Sequence, residues 1–473
     1  MKVQTRSRKE KAIEKAKTAV IVLLFLSCLY FGLQVFQIYR NQTVSEGFGK
    51  QNMFGTELNG KNGLDGQDIL TSFEKISQPE AIVANSSQGR KILDDADQEV
   101  LHLVDSLVRE MYESIDGKIS SAQESDVITA LNSTSLYVRY PVKRQTQFES
   151  VFYNSEKSLI PKWIREFRHL IIQPLSDGGV SVFVMGDKNS SIIRQDLKGM
   201  VADEIAKIIE EETTAEERNP VFAFEMRYNE EENAQLDPML MITSNKKPMT
   251  AISVKIPKSY QAGISFSRPT DFSIGLIDIF GYNPNTIRQY VTDEGGLVFV
   301  GETGNLSIHP NGLIEYKALT AADGIVFGAS ANTAPRDILG GVFGIMEKIW
   351  KLTEVSASER GEIRITKMPE FDGLSTRYEM GLDYFVNEAK VLFNDSWGVW
   401  AVVEDGALVE FKMQVMVVDK DAGEAALSEL SEFMQAENKQ FDEYTTITDI
   451  KKVYMYSESG VNLKPRWMIE GER

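Results

Sequence analysis

Residues 287–319, IRQYVTDEGGLVFVGETGNLSIHPNGLIEYKAL, decide the fold class of this 473-residue chain. Four short runs, RQYVT, LVFVG, NLSIHP and GLIEYKAL, are cut by Asp293-Glu294-Gly295-Gly296, Glu302-Thr303-Gly304 and Pro310-Asn311-Gly312. Alternation with a period of two gives each run one face for a core, and the turn residues supply the positive φ values that tight hairpins need. Four adjacent antiparallel strands are predicted.

Working outward, residues 320–335 are rich in small residues and suggest a boundary. Beyond them a helix is expected over Arg336–Leu352, then strands at Gly361–Lys367, Thr376–Phe385, Ala389–Phe393, Gly398–Val403 and Ala407–Val418. A helix at Ala422–Glu437 and strands at Ile450–Tyr456 and Pro465–Ile469 complete this side. On the other side, Val100, Leu103, Val104, Leu107, Val108, Met111 and Ile115 repeat at helical spacing, which predicts a helix over Asp94–Ile115. Strands follow at Leu136–Tyr140, Phe148–Tyr153, and as a hairpin at Phe167–Gln173 and Val180–Met185 across Asp177-Gly178-Gly179. A helix over Leu197–Glu212, strands near 221–227, 239–243 and 251–256, and a short helix at Phe272–Phe280 lead into the meander. Strands and helices mixed in this order make an α+β fold with antiparallel sheets, divided into a first unit at 71–319 and a second at 336–473. Asn311–Leu319 is echoed by Asp405–Met413, each a turn glycine followed by acid, aromatic and lysine in order, which is read either as coincidence among β-hairpins or as two units of related topology.

Residues 19–39, AVIVLLFLSCLYFGLQVFQIY, carry no charge, and about 21 residues at roughly 1.5 Å each span roughly the 30 Å of a bilayer core. They are read as a transmembrane helix. Lys2, Arg6, Arg8, Lys9, Lys11, Lys15 and Lys17 precede it against Glu10 and Glu14, so residues 1–18 are expected to be cytoplasmic and everything after Arg40 extracellular. A cleaved signal peptide fits less well, since the apolar run exceeds the usual h-region of about 7–15 residues and no A-x-A-like site follows. A lipoprotein reading fails on Phe25-Leu26-Ser27 before Cys28. Residues 40–70, dotted with Gly47, Gly49, Gly55, Gly60, Gly63 and Gly66, read as a flexible linker.

Beyond Arg40 the chain keeps 43 of its 51 basic and 67 of its 69 acidic residues, a net of −24. Nucleic-acid binding, which needs concentrated Lys and Arg, is thereby disfavoured. Cys28 is the only cysteine, so the exterior part forms no internal disulfide, a habit that suits a Gram-positive bacterium.

No enzyme chemistry assembles from motifs. His102, His169 and His309 lie far apart, with no H-E-x-x-H and no exterior Cys to complete a zinc site. There is no G-x-S-x-G, Walker loop or strand-borne G-x-G-x-x-G. Asp383 and Glu388 would serve as a glycosidase pair only at a suitable separation, and solvated charge is the better reading. Neither cofactor nor metal is expected. Tyr384, Phe385, Phe393, Trp397 and Trp400 cluster as a core hairpin or as a sugar-binding platform, with Trp397 beside Gly398 the residue to watch. Within the anchor, Cys28 and Gly32 form a small-x-x-x-small pair and Ser27 and Gln34 share a face, a pattern that lets membrane helices pack closely.

Taken together, the basic start, the single anchor, the exterior α+β remainder, and the strings Asn305–Tyr316 (NLSIHPNGLIEY), Gly381–Asn387 (GLDYFVN) and Pro465–Ile469 (PRWMI) resemble the YycH/YycI family of Gram-positive bacteria. That resemblance implies a membrane-anchored regulator of a two-component sensor histidine kinase controlling cell-wall metabolism. It implies no active site, and as partners the kinase and a sister regulator. A wall-polymer binding or envelope-assembly module using Trp397 is the alternative, and a membrane-anchored hydrolase a third.

Overall fold

Alternating apolar positions in the first half of the chain build an eight-stranded sheet. Its strands are β1 (Ala81–Asn85), β2 (Arg90–Ile92), β3 (Lys118–Ser121), β4 (Ser135–Gln145), β5 (Glu166–Pro174), β6 (Val180–Met185), β7 (Ile192–Leu197) and β8 (Arg218–Asn219). They lie in the order β3-β7-β6-β5-β4-β1-β2-β8. The computed structural model describes residues within 72–472; residues 1–71, Arg473 and several internal segments, the longest at 226–235, 243–248 and most of 421–443, lie outside the described residues. All described residues belong to a unit spanning Thr56–Arg473.

Both faces of this sheet are buried. Ile172 and Val138 point into the main core, where helix α1 (Gln98–Glu113) lays down Val104, Leu107, Val108 and Met111. Fully burying each such side chain contributes about 1.5–3 kcal/mol. Ile171 and Tyr137, one residue out of phase, enter a second cluster with Val127, Ala130 and Leu131 of α2 (Glu124–Leu131). Pairing of β4 with β5 breaks between Arg139 and Arg144, around Pro141, which has no amide to give the ladder.

Short helices α3 (Thr146–Phe152) and α4 (Ile160–Trp163) join β4 to β5, and α5 (Ala202–Glu212) follows β7. The strand expected at Phe148–Tyr153 is therefore helix: Phe148 and Phe152, four apart, bury on one side with Glu149 and Ser150. The helix expected from Leu197 starts at Ala202, because Ile192–Leu197 pairs along β6.

Strands β9 (Val221–Phe222) and β10 (Met241–Ile242) pair together, and β11 (Ile252–Lys255) leads to α6 (Lys258–Gly263) and α7 (Asp271–Ile279). The second sheet then collects β12 (Arg288–Val291), β13 (Leu297–Val300), β14 (Gly304–Ile308), β15 (Leu313–Ala318) and β16 (Ile325–Val326). After α8 (Pro335–Leu352) come β17 (Glu362–Lys367), β18 (Arg377–Val386), β19 (Ala389–Leu392), β20 (Val399–Glu404) and β21 (Ala407–Gln414). Strand β22 (Val417–Asp419) and β24 (Asn462–Leu463) flank β11, while β23 (Thr446–Met455) and β25 (Pro465–Glu472) return to the large sheet. Its path is β12-β13-β14-β15-β21-β20-β18-β19-β23-β25. The predicted meander holds, strand for strand.

Two expectations change. The boundary drawn at 320–335, and with it the division into 71–319 and 336–473, cuts through one sheet, since β15 pairs with β21 from Leu313–Gln414 to Lys317–Glu410. Small residues there mark a connection between strands and not a change of core. The internal echo has the same cause. Its two copies are neighbours in antiparallel register, so Glu315 faces Lys412, Tyr316 faces Phe411 and Lys317 faces Glu410. An acid-aromatic-lysine triplet is complementary to itself when reversed, and both ion pairs close, at 2.8 Å and 3.4 Å.

Most of the helix expected at Ala422–Glu437 and all of the span at 19–39 fall outside the described residues; Ala422 and Gly423, which are described, are not helical, and the Ala422 amide donates to the Ala251 carbonyl at 3.0 Å. Among the described residues no helix is long and apolar enough to cross a membrane.

Candidate functional site

From β12 to β18 the large sheet has one packed face and one open face, and the registers trace each across the strands. On the inner side runs Phe299, Leu306, Tyr316, Phe411, Ala401 and Met380, all buried. Phe280, which caps α7, lies 4.9 Å from the Tyr316 ring and 5.8 Å from Phe411, closing that side with α8. On the outer side runs Tyr290, Val298, Ser307, Glu315, Lys412, Trp400 and Gly381, with Lys367 beyond. These are half-buried or exposed apart from Gly381, and they form the candidate interaction surface.

Its electrostatics are those of a solvated face with matched charges. Glu315 accepts from His309 Nε2 at 2.8 Å and meets Lys412 Nζ at 2.8 Å. The His309 hydrogen bond, with Lys412 behind it, holds the Glu315 carboxyl down at about 2 despite partial burial. Lys367 pairs with Glu379 at 2.7 Å and Arg377 with Glu404 at 2.9 Å.

Trp397 sits on this face against β18, half-buried. The Nε1–Cδ1 edge of its indole lies against Gly381, where a built Cβ would overlap both of those atoms, so a glycine inside a strand was the sequence signal for this close approach. Trp400 packs beside it at 5.1 Å and carries the Lys367 ammonium 4.7 Å above its own ring. The Trp397 Nε1 proton is buried without a hydrogen bond. Of the aromatic cluster expected here, Tyr384, Phe385 and Phe393 are buried, and the Tyr384 hydroxyl donates to the Gln414 carbonyl at 2.6 Å.

Of the two carboxylates expected to be solvated charge, Glu388 is exposed, but Asp383 is buried and engaged in structural bonds. The buried Asp383 carboxylate accepts from the Thr366 hydroxyl at 2.6 Å and the Gly398 amide at 2.8 Å, and meets Lys390 at 2.7 Å. It thereby fixes the backbone beside Trp397. Glu388 lies in the tight turn between β18 and β19 with φ of 64°. The histidines remain apart: His102 is exposed on α1, His169 is buried against the Tyr137 hydroxyl at 2.8 Å, and His309 serves Glu315. No group of three metal-ligating side chains occurs among the described residues. Ser27, Cys28, Gly32 and Gln34 lie outside the described residues.

A charged cluster that sequence reading missed joins the two sheets. Asp449 on β23 is buried among Arg139 of β4, Arg168 of β5 at 2.9 Å and Lys451 at 3.1 Å. Glu80 lies 3.6 Å from Arg139, and Glu470 lies 2.9 Å from Lys451.

No protein-family profile matches the sequence, and no curated protein matches it. A solved structure does match, the crystal structure of YycH from Bacillus subtilis, with a TM-score of 0.50 at 10% sequence identity over 84% of this chain and 95% of that one. The resemblance expected from the sequence is thus met in three dimensions, and this chain shares its fold with YycH.

Proposed function

We propose that the chain is a membrane-anchored extracytoplasmic regulator that acts by protein contact on a two-component sensor histidine kinase governing cell-wall metabolism. One observation carries this reading: the fold follows that of YycH over 84% of this chain and 95% of that one. In support, the Asp383 carboxylate and the three histidines serve structural bonds or stand alone. The working surfaces are then the anchor, through Ser27, Cys28, Gly32 and Gln34, and the open sheet face, the first packing against the kinase's membrane helices and the second meeting its exterior domain or a sister regulator. Residues 1–18 stay in the cytoplasm and all that follows Arg40 lies outside.

Photo-crosslinkers placed at Gln34 and at Tyr290 in intact cells test the reading. Attachment to a sensor kinase or a sister regulator is the expected result, and attachment at neither position to any signalling protein would remove it. Gly32→Ile should lower kinase recovery on co-purification severalfold, and unchanged recovery together with unchanged kinase output would take the contact away from the anchor. The Trp397–Trp400 pair on an open face favours a second reading, wall-polymer binding. Retention of the protein on purified wall material, lost in Trp400→Ala, would select it instead.

A further inference from the structure

The described residues begin at a helical turn, 72–76, that packs on the excursion between β4 and β5. Phe73 of that turn is fully buried, its ring centroid 4.2 Å from Phe152 and 6.3 Å from Phe148 of α3. The excursion is closed on itself, because the Thr146 amide donates to the Arg165 carbonyl at 3.0 Å and its hydroxyl to the Ile164 carbonyl at 2.6 Å. α4 is thereby folded back beside α3, at the place where the chain enters the fold.

Two large apolar side chains stand in water at this place. Leu159, in helical conformation just before α4, is 38% exposed, and Trp163 is 45% exposed. Four residues apart on a helical turn they share a face, while Ile160 between them is fully buried. The exposed charge around them is mainly basic, with Lys157 and Lys162 against Glu156, and Lys75 on the entry turn. The acids Glu166 and Glu370 are held by Lys143 and Arg165, each at 3.0 Å. Arg336, which donates to the Phe152 carbonyl, is followed by Asp337 and adds no net charge. On an exterior part whose net charge is −24, this is a local reversal of sign.

An indole and an aliphatic side chain flanked by lysines suit a bilayer surface, where the ring settles at headgroup level and the ammonium groups meet anionic phosphates. We propose that Leu159 and Trp163 are a membrane-contact tip, which rests on anionic phospholipid headgroups of the outer leaflet and seats the first sheet beside the chain's own anchor. The tip rests on the reading of residues 19–39 as a membrane span. Between that span and Phe73 lie residues 40–70, and a glycine-rich linker of about 30 residues has an r.m.s. reach of about 30 Å. Two side chains would hold a free protein only weakly, but a contact made next to an anchor is intramolecular and gains the corresponding effective concentration.

The full chain, reconstituted into vesicles of phosphatidylglycerol and phosphatidylcholine, tests the tip with a photo-crosslinking phenylalanine derivative in place of Trp163. The control carries it in place of Tyr290 on β12, at the other end of the large sheet from β23 and β25. Lipid adducts should be severalfold more abundant at 163 than at 290, and at 163 they should fall severalfold in Lys157→Glu/Lys162→Glu, which alters exposed side chains only. A chain that fails to float with the vesicles would remove the span and the tip together. A chain that floats but gives lipid adducts equally at both positions, adducts to a second copy of itself in place of lipid, or adducts indifferent to the charge reversal would overturn the tip and leave the span standing.

Discussion

Asp449 is the single side chain on which most charge converges, and its surroundings explain why. One buried carboxylate meets Arg139, Arg168 and Lys451, with Glu80 and Glu470 restoring balance at the rim. Burial works to raise its pKa, but Arg139, Lys451 and Arg168 outweigh that and hold it well below the usual carboxylate range. A depressed acid gives its stabilisation above its unfolded value and loses it only as pH falls far into acid, so this cluster should survive ordinary acidification. Asp449→Ala leaves two buried arginines and the half-buried Lys451 without their shared partner and should cost about 3–5 kcal/mol, read as a lower denaturation midpoint. A loss within about 0.5 kcal/mol, the range of an ordinary surface change, would mean that water already reaches the cluster. None of this was legible beforehand, because Arg168 and Asp449 are 281 residues apart and neither stands in a motif. Trp397 and Gly381 make a second residue-scale case. Gly381→Ala inserts a methyl group where the indole lies and should cost about 1–3 kcal/mol. In a Trp397→Ala background the same change should cost much less, and strict additivity of the two would refute the contact.

Elements were read well where periodicity ran long or turn chemistry was explicit. The meander was legible because Gly295 and Gly312 occupy the left-handed turns that its hairpins require, with φ of 80° and 90°. Helix α8 was legible because Ile338, Leu339, Val342, Ile345, Met346 and Ile349 hold a 3.6-residue period over five turns, behind Pro335 at the first position. Seven-residue α3 failed because Phe148, Val151 and Phe152 are too few to separate the two periods, and its Glu149 is drawn inward by Arg144 and not by any local rule. Helix α8 also carries a paired test. Gly344 has open space where a side chain would go, so Gly344→Ala should stabilise by about 1 kcal/mol through helix propensity alone. Gly341 lies against the Phe327 ring, so Gly341→Ala gains the same propensity but must displace an aromatic side chain. Thermal melts should therefore move in opposite directions for the two variants, and a rise in both would show that Phe327 yields without cost.

At the scale of the whole molecule, continuity of the large sheet decides how the described residues hold together. The meander at 287–319 ends on β15, and β15 completes its ladder only with β21, nearly a hundred residues later. The first sheet is joined to the second through Asp449, and α8 is tied to α3 by the Arg336 Nε donation to the Phe152 carbonyl at 2.6 Å. A chain cut between Leu319 and Arg336 would expose an unpaired edge on each side, lined by Tyr316 on one and Phe411 on the other. Cooperative unfolding in one transition is therefore expected, in place of the two transitions that separate units would give. Trp163 reports on the first part of the chain and Trp397 with Trp400 on the sheet face. Variants that keep either set alone should unfold at the same denaturant concentration by fluorescence, with circular dichroism coincident. Fragments 71–319 and 336–473 should each fail to show that transition alone and recover it only on mixing, if at all; midpoints that separate between the two reporters, or a cooperative transition in either fragment, would restore the division between them.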